Sequence, residues 1–246
     1  MRLAILTDIH ANREAFEAVL ADLDDRGIDR LVFLGDLVGY GPDPGWCLDR
    51  VATLQAAGAI VVRGNHDRAV GVPDGTLNPH ARRVIDWTVG RLTAPQKLFL
   101  AELPLVEALE DLAFVHASAE APSDWTYIQS EAEAGACLAA SAARVVFCGH
   151  VHRAGLYSRD MGGRIAGHRF AMGLPVPLLK SRRWLAVVGS VGQPRDGSGL
   201  ASYAVIDRDT NELTFRRVGY DSAATARKMR SAGLPESLAA RLVQGV

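Results

Sequence analysis

The stretch AIVVRGNHD (residues 59–67) sets four apolar residues before a turn that carries three polar side chains in a row. The apolar run is typical of a short buried strand, and Gly64 permits a sharp turn directly after it. A turn needs only a glycine and an asparagine, so His66 and Asp67 directly afterwards indicate a further purpose.

Predicted strands and helices alternate in the sequence before this stretch. Two earlier apolar runs, LAIL (3–6) and LVFL (31–34), predict strands. Helical spacing follows each of them, over 12–25 with Gly27 as the stop and over 42–58. Strands that alternate with helices indicate parallel pairing through crossover units, so an α/β fold is expected.

The second half of the chain has more strands and more turns. The patterns predict helices over 79–102 with a new start at Thr93, a hairpin over 105–118, a helix over 131–142, a strand at 145–152, strands with turns over 154–218, and two short helices over 222–243. No internal repeat or linker is visible, which predicts one domain over residues 1–246.

Composition excludes several classes of protein. Of 246 residues, 48% are apolar, which is enough for a sizeable core, and the formal net charge of −1 gives no basic surface for long nucleic acid. The three cysteines form no CxxC motif and are odd in number, so a reducing compartment is expected. The first residues are too polar for a signal peptide, and no stretch reaches the roughly 20 apolar residues of a membrane span. We therefore expect a cytoplasmic protein that does not bind membranes.

Metal-binding residue types recur where the apolar strands end. The carboxyl ends of five strands carry Asp8 and His10, Asp36, Asn65, His116, and His150 and His152. Such ends share one edge of an α/β sheet, where ligands bind. Within Asp-x-His and His-x-His, both side chains point to the same face of a strand. Any one of these motifs alone is more often a turn or a surface pair than a metal ligand. The occurrence of all five at strand ends, in this order, favours one common metal site.

The residue types narrow the chemistry of that site. Carboxylate, amide oxygen and imidazole without thiolate suit manganese, iron or zinc in a reactive site. Seven ligands are too many for one tetrahedral ion, but they suit two ions that share a carboxylate. Two such ions, about 3.5–4 Å apart, hold a hydroxide and clamp a phosphoryl group for in-line attack.

Together these motifs resemble the calcineurin-like metallophosphoesterases, over nearly the whole chain. The resemblance implies a four-layer α/β/β/α sandwich of two mixed sheets with helices outside. It also implies that Asp36 bridges two divalent transition metal ions, manganese first and iron, zinc or nickel as alternatives. One ion would be held by Asp8, His10 and His152, and the other by Asn65, His116 and His150.

Four further residues are candidates beside the metals. His66 matches the family's histidine that is not a ligand, and it would donate a proton or a hydrogen bond to the leaving oxygen, with Asp67 beside it to steady the ring. The alternative for Asp67 is a helix cap. Asn12 would contact substrate or cap the first helix, and Arg195 would bind phosphate or lie solvated in a loop.

GDLVGYGPDP (35–44), NPHARRVIDWT (78–88) and GSVGQPRDG (189–197) resemble a bacterial subgroup of small phosphodiesterases and phosphatases. The expected activity is hydrolysis of phosphodiesters or phosphomonoesters by the metal-bridging hydroxide, with a small molecule or nucleotide phosphodiester first. A protein serine/threonine phosphatase, a dinucleoside-polyphosphate hydrolase and a non-catalytic protein-binding scaffold are the alternatives. Homo-oligomerisation stays open, and residues 154–184 are expected to form either a hairpin arm or a rim over the site.

Overall fold

Two six-stranded mixed sheets are present in the computed structural model, which describes residues 1–72 and 79–245. The first sheet has the order β3 (Ile60–Val61), β2 (Arg30–Phe33), β1 (Arg2–Leu6), β11 (Ala201–Asp207), β12 (Glu212–Val218) and β9 (Pro175–Pro177). The second has the order β4 (Val106–Leu109), β5 (Leu112–Val115), β6 (Val145–Cys148), β10 (Arg183–Val187), β7 (Gly155–Arg159) and β8 (Ile165–Gly167). Residue 78, the first of the segment 78–88, lies outside the described residues.

Helices cover the outer faces of the sheets. They are α1 (Arg13–Leu23), α2 (Pro44–Ala56), α3 (Asn65–Gly71), α4 (Pro79–Val89), α5 (Ala94–Glu102), α6 (Glu131–Ala140), α7 (Ser222–Ser231) and α8 (Glu236–Gln244). Apolar residues of α1, α2 and α5 pack on the first sheet, and those of α6 pack on the second. The four-layer sandwich of two mixed sheets is thereby confirmed. Among the described helices, none is long and apolar enough to span a membrane.

The strand β1 shows why the apolar runs lack an alternating pattern. Leu3 and Ile5 lie in the core between the two sheets, whereas Ala4 and Leu6 lie in the core under the helices. All four are fully buried. Since successive strand residues face opposite sides, a strand covered on both faces must be apolar throughout.

Parallel pairing places the ends of the key strands at one edge. β1 pairs with β2, and β2 with β3, in parallel, as the alternation predicts. In the second sheet β5, β6 and β10 are also mutually parallel. Their carboxyl ends therefore lie together, and the polar residues after them converge.

Residues 154–184 contribute strands to both sheets instead of forming a free arm. β7 and β8 pair as a hairpin, but the hairpin belongs to the second sheet, where β8 is the edge strand. β9 is the edge strand of the first sheet and pairs with β12. The chain between β8 and β9 thus crosses from one sheet to the other, with Phe170 stacked on Phe215 at 4.1 Å between ring centroids.

Candidate metal centre

Two groups of buried metal-binding side chains lie at this edge and share one residue. The first consists of Asp8, His10, Asp36 and His152, and the second of Asp36, His116 and His150. Within each group the ligand atoms all lie within 4.8 Å of one another. The structure therefore brings together the carboxylates and histidines predicted as ligands.

The first group is tightly clustered around its two histidine rings. His10 Nε2 lies 3.1 Å from His152 Nε2. Asp8 Oδ1 lies 3.1 Å from His152 Nε2 and 3.6 Å from His10 Nε2. Asp36 Oδ2 is 3.7 Å from His10 Nε2. Four donor atoms thus surround one small volume, as a bound cation requires.

The second group is completed by an amide oxygen. His116 Nε2 lies 3.4 Å from Asp36 Oδ2 and 3.2 Å from His150 Nδ1. Asn65 Oδ1 lies 3.1 Å from the same His116 nitrogen. Asp36 Oδ2 is therefore close to a histidine of each group, which is the position predicted for a bridging carboxylate.

Backbone carbonyls fix the tautomers of three of these histidines. His10 Nδ1 donates to Val38 O at 3.0 Å, His116 Nδ1 to Leu34 O at 2.7 Å, and His152 Nδ1 to Gln193 O at 2.7 Å. A carbonyl oxygen only accepts, so each Nδ1 carries a proton, and each ring presents a lone pair on Nε2 when it is neutral. This orientation of the unprotonated nitrogen is usual for a histidine that binds metal.

The facing lone pairs provide a test of the metal assignment. Neutral His10 and His152 present two acceptors to each other, which cannot form a hydrogen bond. Among the described residues, Asp8 Oδ1 also lacks a hydrogen-bond partner. A divalent cation between such atoms would bind the lone pairs that no hydrogen-bond donor reaches, so these residues fit the predicted metal.

Burial and mutual charge strongly perturb the ionisation of the site. Burial favours the neutral form of His116, but the charge of Asp36 outweighs it and raises the pKa of His116 to about 9. Burial lowers the pKa of His150 to about 3 and that of His152 to about 4. For Asp8, burial acts to raise the pKa, but the nearby histidines, His152 foremost, hold it well below its usual value. The site thus favours ionised carboxylates, the form that binds metal.

The backbone around the site adopts an unfavourable conformation repeatedly. Ten non-glycine residues of the described chain have positive φ, and seven of them lie in the loops of the site: Asp8, His10, Ala11, Asp36, Tyr40, His150 and His152. Each such residue costs on the order of 1–3 kcal/mol unless the surroundings impose it. Strain concentrated in this way is typical of functional sites.

Two glycines allow the strand-end loops to approach each other. A Cβ at Gly64 would overlap Asp36 Oδ1 and the Asp36 backbone nitrogen. A Cβ at Gly149 would overlap Thr7 Oγ1 and contact Asp8 Oδ2. The glycines that precede Asn65 and His150 in the sequence are therefore required by close packing against the carboxylates.

His66 lies beside the first group without belonging to it. Its side chain is buried, and its backbone N–H donates to Asp36 Oδ1 at 2.8 Å. Its ring centroid is 4.9 Å from that of His10 and 4.5 Å from that of Tyr40. Burial lowers the pKa of His66 to about 3. This placement agrees with the prediction that His66 is not a ligand.

The predicted contact between Asp67 and His66 is wrong. Asp67 Oδ1 accepts from the backbone N–H groups of Leu37 and Val38 at 2.9 and 3.2 Å, and Oδ2 accepts from Gly64 N–H at 3.0 Å. Helix α3 begins at Asn65, which makes Asp67 its third residue and Gly64 its N-cap. The alternative, an N-cap for the segment after Asp67, is not met as predicted either, because α3 already begins at Asn65. The carboxylate instead caps from the third position by accepting from Gly64 N–H, and it ties the loop after β2 to the loop after β3.

Asn12 also takes its alternative interpretation. It is the N-cap of α1, and its Oδ1 accepts from Ala15 N–H at 3.1 Å and from Thr225 Oγ1 at 3.0 Å. Its Nδ2 donates to Gly192 O at 2.8 Å. The side chain is 1% exposed. Because its polar atoms are occupied inside the protein, Asn12 is not placed to contact substrate.

Arg195 lies at the edge of the site. Its backbone N–H donates to His152 O at 3.1 Å, and its Nη2 donates to Gln193 Oε1 at 2.7 Å. Its Cζ is 5.9 Å from the centroid of the Tyr40 ring. Among the described residues its buried Nε lacks a hydrogen-bond acceptor. The predicted phosphate contact remains a prediction, with an arginine donor available for it.

Several aromatic residues of the site were not anticipated. Tyr127 stacks on His150 at 4.1 Å, and Trp125 contacts His116 edge-on at 5.9 Å between centroids. Tyr40 lies among His10, His66 and Arg195. The only sequence signal for Tyr40 is its place four residues after Asp36, between two glycines.

Comparisons with known proteins find relatives that match nearly the whole chain. The family model described as the calcineurin-like phosphoesterase superfamily domain matches residues 1–211. The chain is similar to a metallophosphoesterase of known structure from Sphaerobacter thermophilus, with 40% identity, a TM-score of 0.88 and full coverage of both chains. It is 32% identical to an uncharacterised protein of Methanocaldococcus jannaschii, over 99% of this chain and 98% of that one. A hypothetical protein from Pyrococcus horikoshii shares the fold, with 20% identity, a TM-score of 0.79, and coverage of 100% of this chain and 98% of that one.

Proposed function

The chain belongs to the calcineurin-like phosphoesterase superfamily, and from that premise we propose that it hydrolyses phosphodiester bonds of a small molecule or nucleotide with two bound divalent metal ions. The main support for this proposal is that the two ligand groups share Asp36. Its Oδ2 lies 3.7 Å from His10 Nε2 and 3.4 Å from His116 Nε2. One carboxylate oxygen between two sets of ligands supports a dinuclear centre.

The donor set supports manganese as the first choice of metal. The groups offer carboxylate oxygens, imidazole nitrogens and the Asn65 amide oxygen, without a thiolate among the described ligands. Oxygen-rich sites with imidazole suit manganese and iron, and zinc is the next alternative. Bound ions would activate water and offset the charge of the phosphoryl group.

The chain's own side chains would divide the remaining tasks. His66, next to His10 but outside both groups, would donate a proton or hydrogen bond to the leaving oxygen. Arg195 would orient a phosphate oxygen through the free Nε side of its guanidinium. Asp67 would hold the loop that carries Asn65 and His66 in place, rather than act on the proton.

A cavity of about 650 Å³ supports a small organic substrate. Its lining includes Tyr127, Arg153, Tyr157 and Arg195, together with Val151, which lies between His150 and His152. A space of this size with aromatic walls and two arginines suits a planar, negatively charged group such as a nucleotide.

Metal analysis combined with a substrate panel tests this function. Purified protein is loaded with manganese, its metal content is measured, and hydrolysis of bis-p-nitrophenyl phosphate, p-nitrophenyl phosphate and cyclic nucleotides is compared. We expect bound metal, manganese-dependent turnover and faster cleavage of diesters than of the monoester. His116→Asn should abolish turnover on all of them.

The matched control is His168→Asn. His168 is hydrogen-bonded to Ser158 Oγ at 2.8 Å and lies outside both ligand groups, so its loss should leave metal content and turnover unchanged. A protein that neither binds metal nor cleaves any of these esters would instead support the scaffold alternative. Preference for the monoester would contradict the assignment as a phosphodiesterase while leaving the phosphoesterase assignment intact.

A further inference from the structure

Within residues 1–72 and 79–245, no hydrogen bond to a polar group orients the ring of His66. Among the described residues, its Nδ1 is buried without a hydrogen-bond partner. The carboxylate beside it in the sequence, Asp67, is occupied by three backbone N–H groups. Asp36 accepts from the backbone of His66 and thus fixes the main chain, not the imidazole. The ring must therefore be held by packing.

That packing comes from one short segment, Gly39–Tyr40. The Tyr40 ring lies 4.5 Å from the His66 ring between centroids, at an angle of 51°. A Cβ at Gly39 would overlap His66 Nδ1, so the imidazole lies directly against the Gly39 backbone. His10 closes the third side at 4.9 Å. His66 thus occupies a slot formed by Gly39, Tyr40 and His10.

Tyr40 is itself held rigidly. Its side chain is 8% exposed, and its backbone has a φ of 60°. It belongs to an apolar cluster with residues of three helices, among them Val84 of α4, Met229 of α7 and Leu238 of α8. α4 lies inside the family match, which ends at residue 211, whereas α7 and α8 follow it, so two of the three helices lie outside the matched residues.

We propose that Tyr40 is the positioning residue for His66: its ring, anchored by the helices α4, α7 and α8, holds the imidazole toward the leaving group. The inference rests on the proposed function, since it requires that His66 assists departure of the leaving oxygen. It assigns the task predicted for a carboxylate to an aromatic ring. A ring contact of this type favours one orientation of the imidazole over the others.

The kinetic test compares Tyr40→Leu, Tyr40→Phe and His66→Asn on two diesters, one with a p-nitrophenyl and one with an unsubstituted phenyl leaving group. Help for the leaving oxygen matters more for the poorer leaving group, phenol. General acid assistance contributes roughly 10²–10⁴-fold, so Tyr40→Leu is expected to lower kcat about tenfold on the phenyl ester and much less on the p-nitrophenyl ester. KM and metal content of Tyr40→Leu should stay near those of the wild type. Tyr40→Phe, which keeps the aromatic ring, should have the wild-type kcat on both esters.

A second readout does not depend on activity. In the metal-free protein, the histidine ring resonance that disappears in His66→Asn identifies His66 by NMR. We expect this resonance to be shifted by the adjacent Tyr40 ring, to keep its position in Tyr40→Phe and to move in Tyr40→Leu. Met229→Ala, a milder change in the cluster that holds Tyr40, should move it in the same direction if Tyr40→Leu does not fold.

The outcomes separate this inference from the proposed function. If His66→Asn slows both diesters equally, the leaving-group task of His66 is wrong. If His66→Asn shows the selective loss but Tyr40→Leu does not, or if the His66 resonance stays unchanged in the Tyr40 and Met229 variants, only the positioning role is overturned. Loss of metal from Tyr40→Leu would also overturn it, because Tyr40 would then support the ligands instead.

Discussion

His10 Nε2 and His152 Nε2 face each other across 3.1 Å, while the Nδ1 atom of each ring donates to a backbone carbonyl. Two lone pairs held this close repel each other unless a cation lies between them. The local structure is therefore organised for a bound ion, and its stability should depend on that ion.

The first prediction concerns metal removal. A ligand that binds only the folded state at about 100 times its dissociation constant stabilises by about 2.7 kcal/mol. We expect chelation to lower the free energy of unfolding by about 3 kcal/mol, and added manganese to restore it, as measured by urea denaturation. His10→Asn should lose most of this manganese dependence, whereas His168→Asn should keep it. An unchanged midpoint in chelator would argue against a resident metal.

The second prediction uses the shared position of Asp36. Its Oδ2 approaches both histidine groups, whereas Asp8 belongs to one. Asp36→Asn should therefore weaken binding of both ions, and Asp8→Asn only one, as elemental analysis of the loaded variants would show. If Asp36→Asn keeps as much metal as the wild type, Asp36 does not bridge.

The third prediction concerns Gly64, which packs directly against the Asp36 carboxylate. Gly64→Ala places a methyl group on Asp36 Oδ1 and its backbone, which has no room to move. Overpacking of this kind costs about 1–3 kcal/mol, and we expect it to displace the carboxylate and reduce metal content. Gly71→Ala is the matched control at the other end of α3, since no atom of the described residues lies within 4 Å of the added Cβ. Equal behaviour of the two variants would contradict the close approach.

The fourth prediction separates Asp67 from His66. Asp67→Asn removes one of two acceptor oxygens that serve three backbone N–H groups, at a cost of about 2 kcal/mol in unfolding free energy. The remaining folded enzyme should keep the wild-type ratio of rates on p-nitrophenyl and phenyl esters, whereas His66→Asn should lose activity selectively on the phenyl ester. A selective loss on phenyl esters in Asp67→Asn, without a loss of stability, would instead restore the catalytic interpretation of Asp67.

The fifth prediction is a pH dependence far from the metal site. Burial acts to raise the pKa of Asp22, but hydrogen bonds from Arg26 and Tyr203 outweigh it, and the pKa is lowered from 3.8. The folded protein then binds fewer protons than the unfolded chain, so the stabilisation is complete above pH 3.8 and is lost as the pH falls through the lower folded value. Asp22→Asn should cost about 1 kcal/mol at neutral pH, after allowance for partial exposure, and nothing in strong acid. The exposed Asp25 provides the control variant Asp25→Asn.

The clustering of the candidate ligands was predictable because each of them follows an apolar strand, and parallel strands share an edge. Asp67 was not, because its partners depend on where helix α3 begins. The sequence suggests a turn at Asn65, but the helix starts there and turns the Asp67 carboxylate toward Gly64 N–H. A shift of one residue in a helix start changes the direction of every side chain in its first turn.

The burial of Tyr40 in the site was not predicted, for a different reason. A tyrosine between two glycines is typical of an exposed turn, and nothing nearby in the sequence indicates its burial. The residues that bury it include Met229 and Leu238, nearly the length of the chain away. The chain between β8 and β9 is similar, since its partner strand β12 comes much later in the sequence. Contacts between distant segments leave no local pattern to read.

The position of β12 has a practical consequence for expression of this protein. Residue 211 ends the segment that matches the family, but β12 (Glu212–Val218) lies inside the first sheet, paired with β11 along all seven residues. A gene fragment cut at the family boundary would leave β11 paired with β1 but exposed on its other side, an edge prone to self-association. It would also remove α7 and α8, two of the three helices whose residues cluster with Tyr40. A fragment intended for crystallisation or assay should therefore extend through α8.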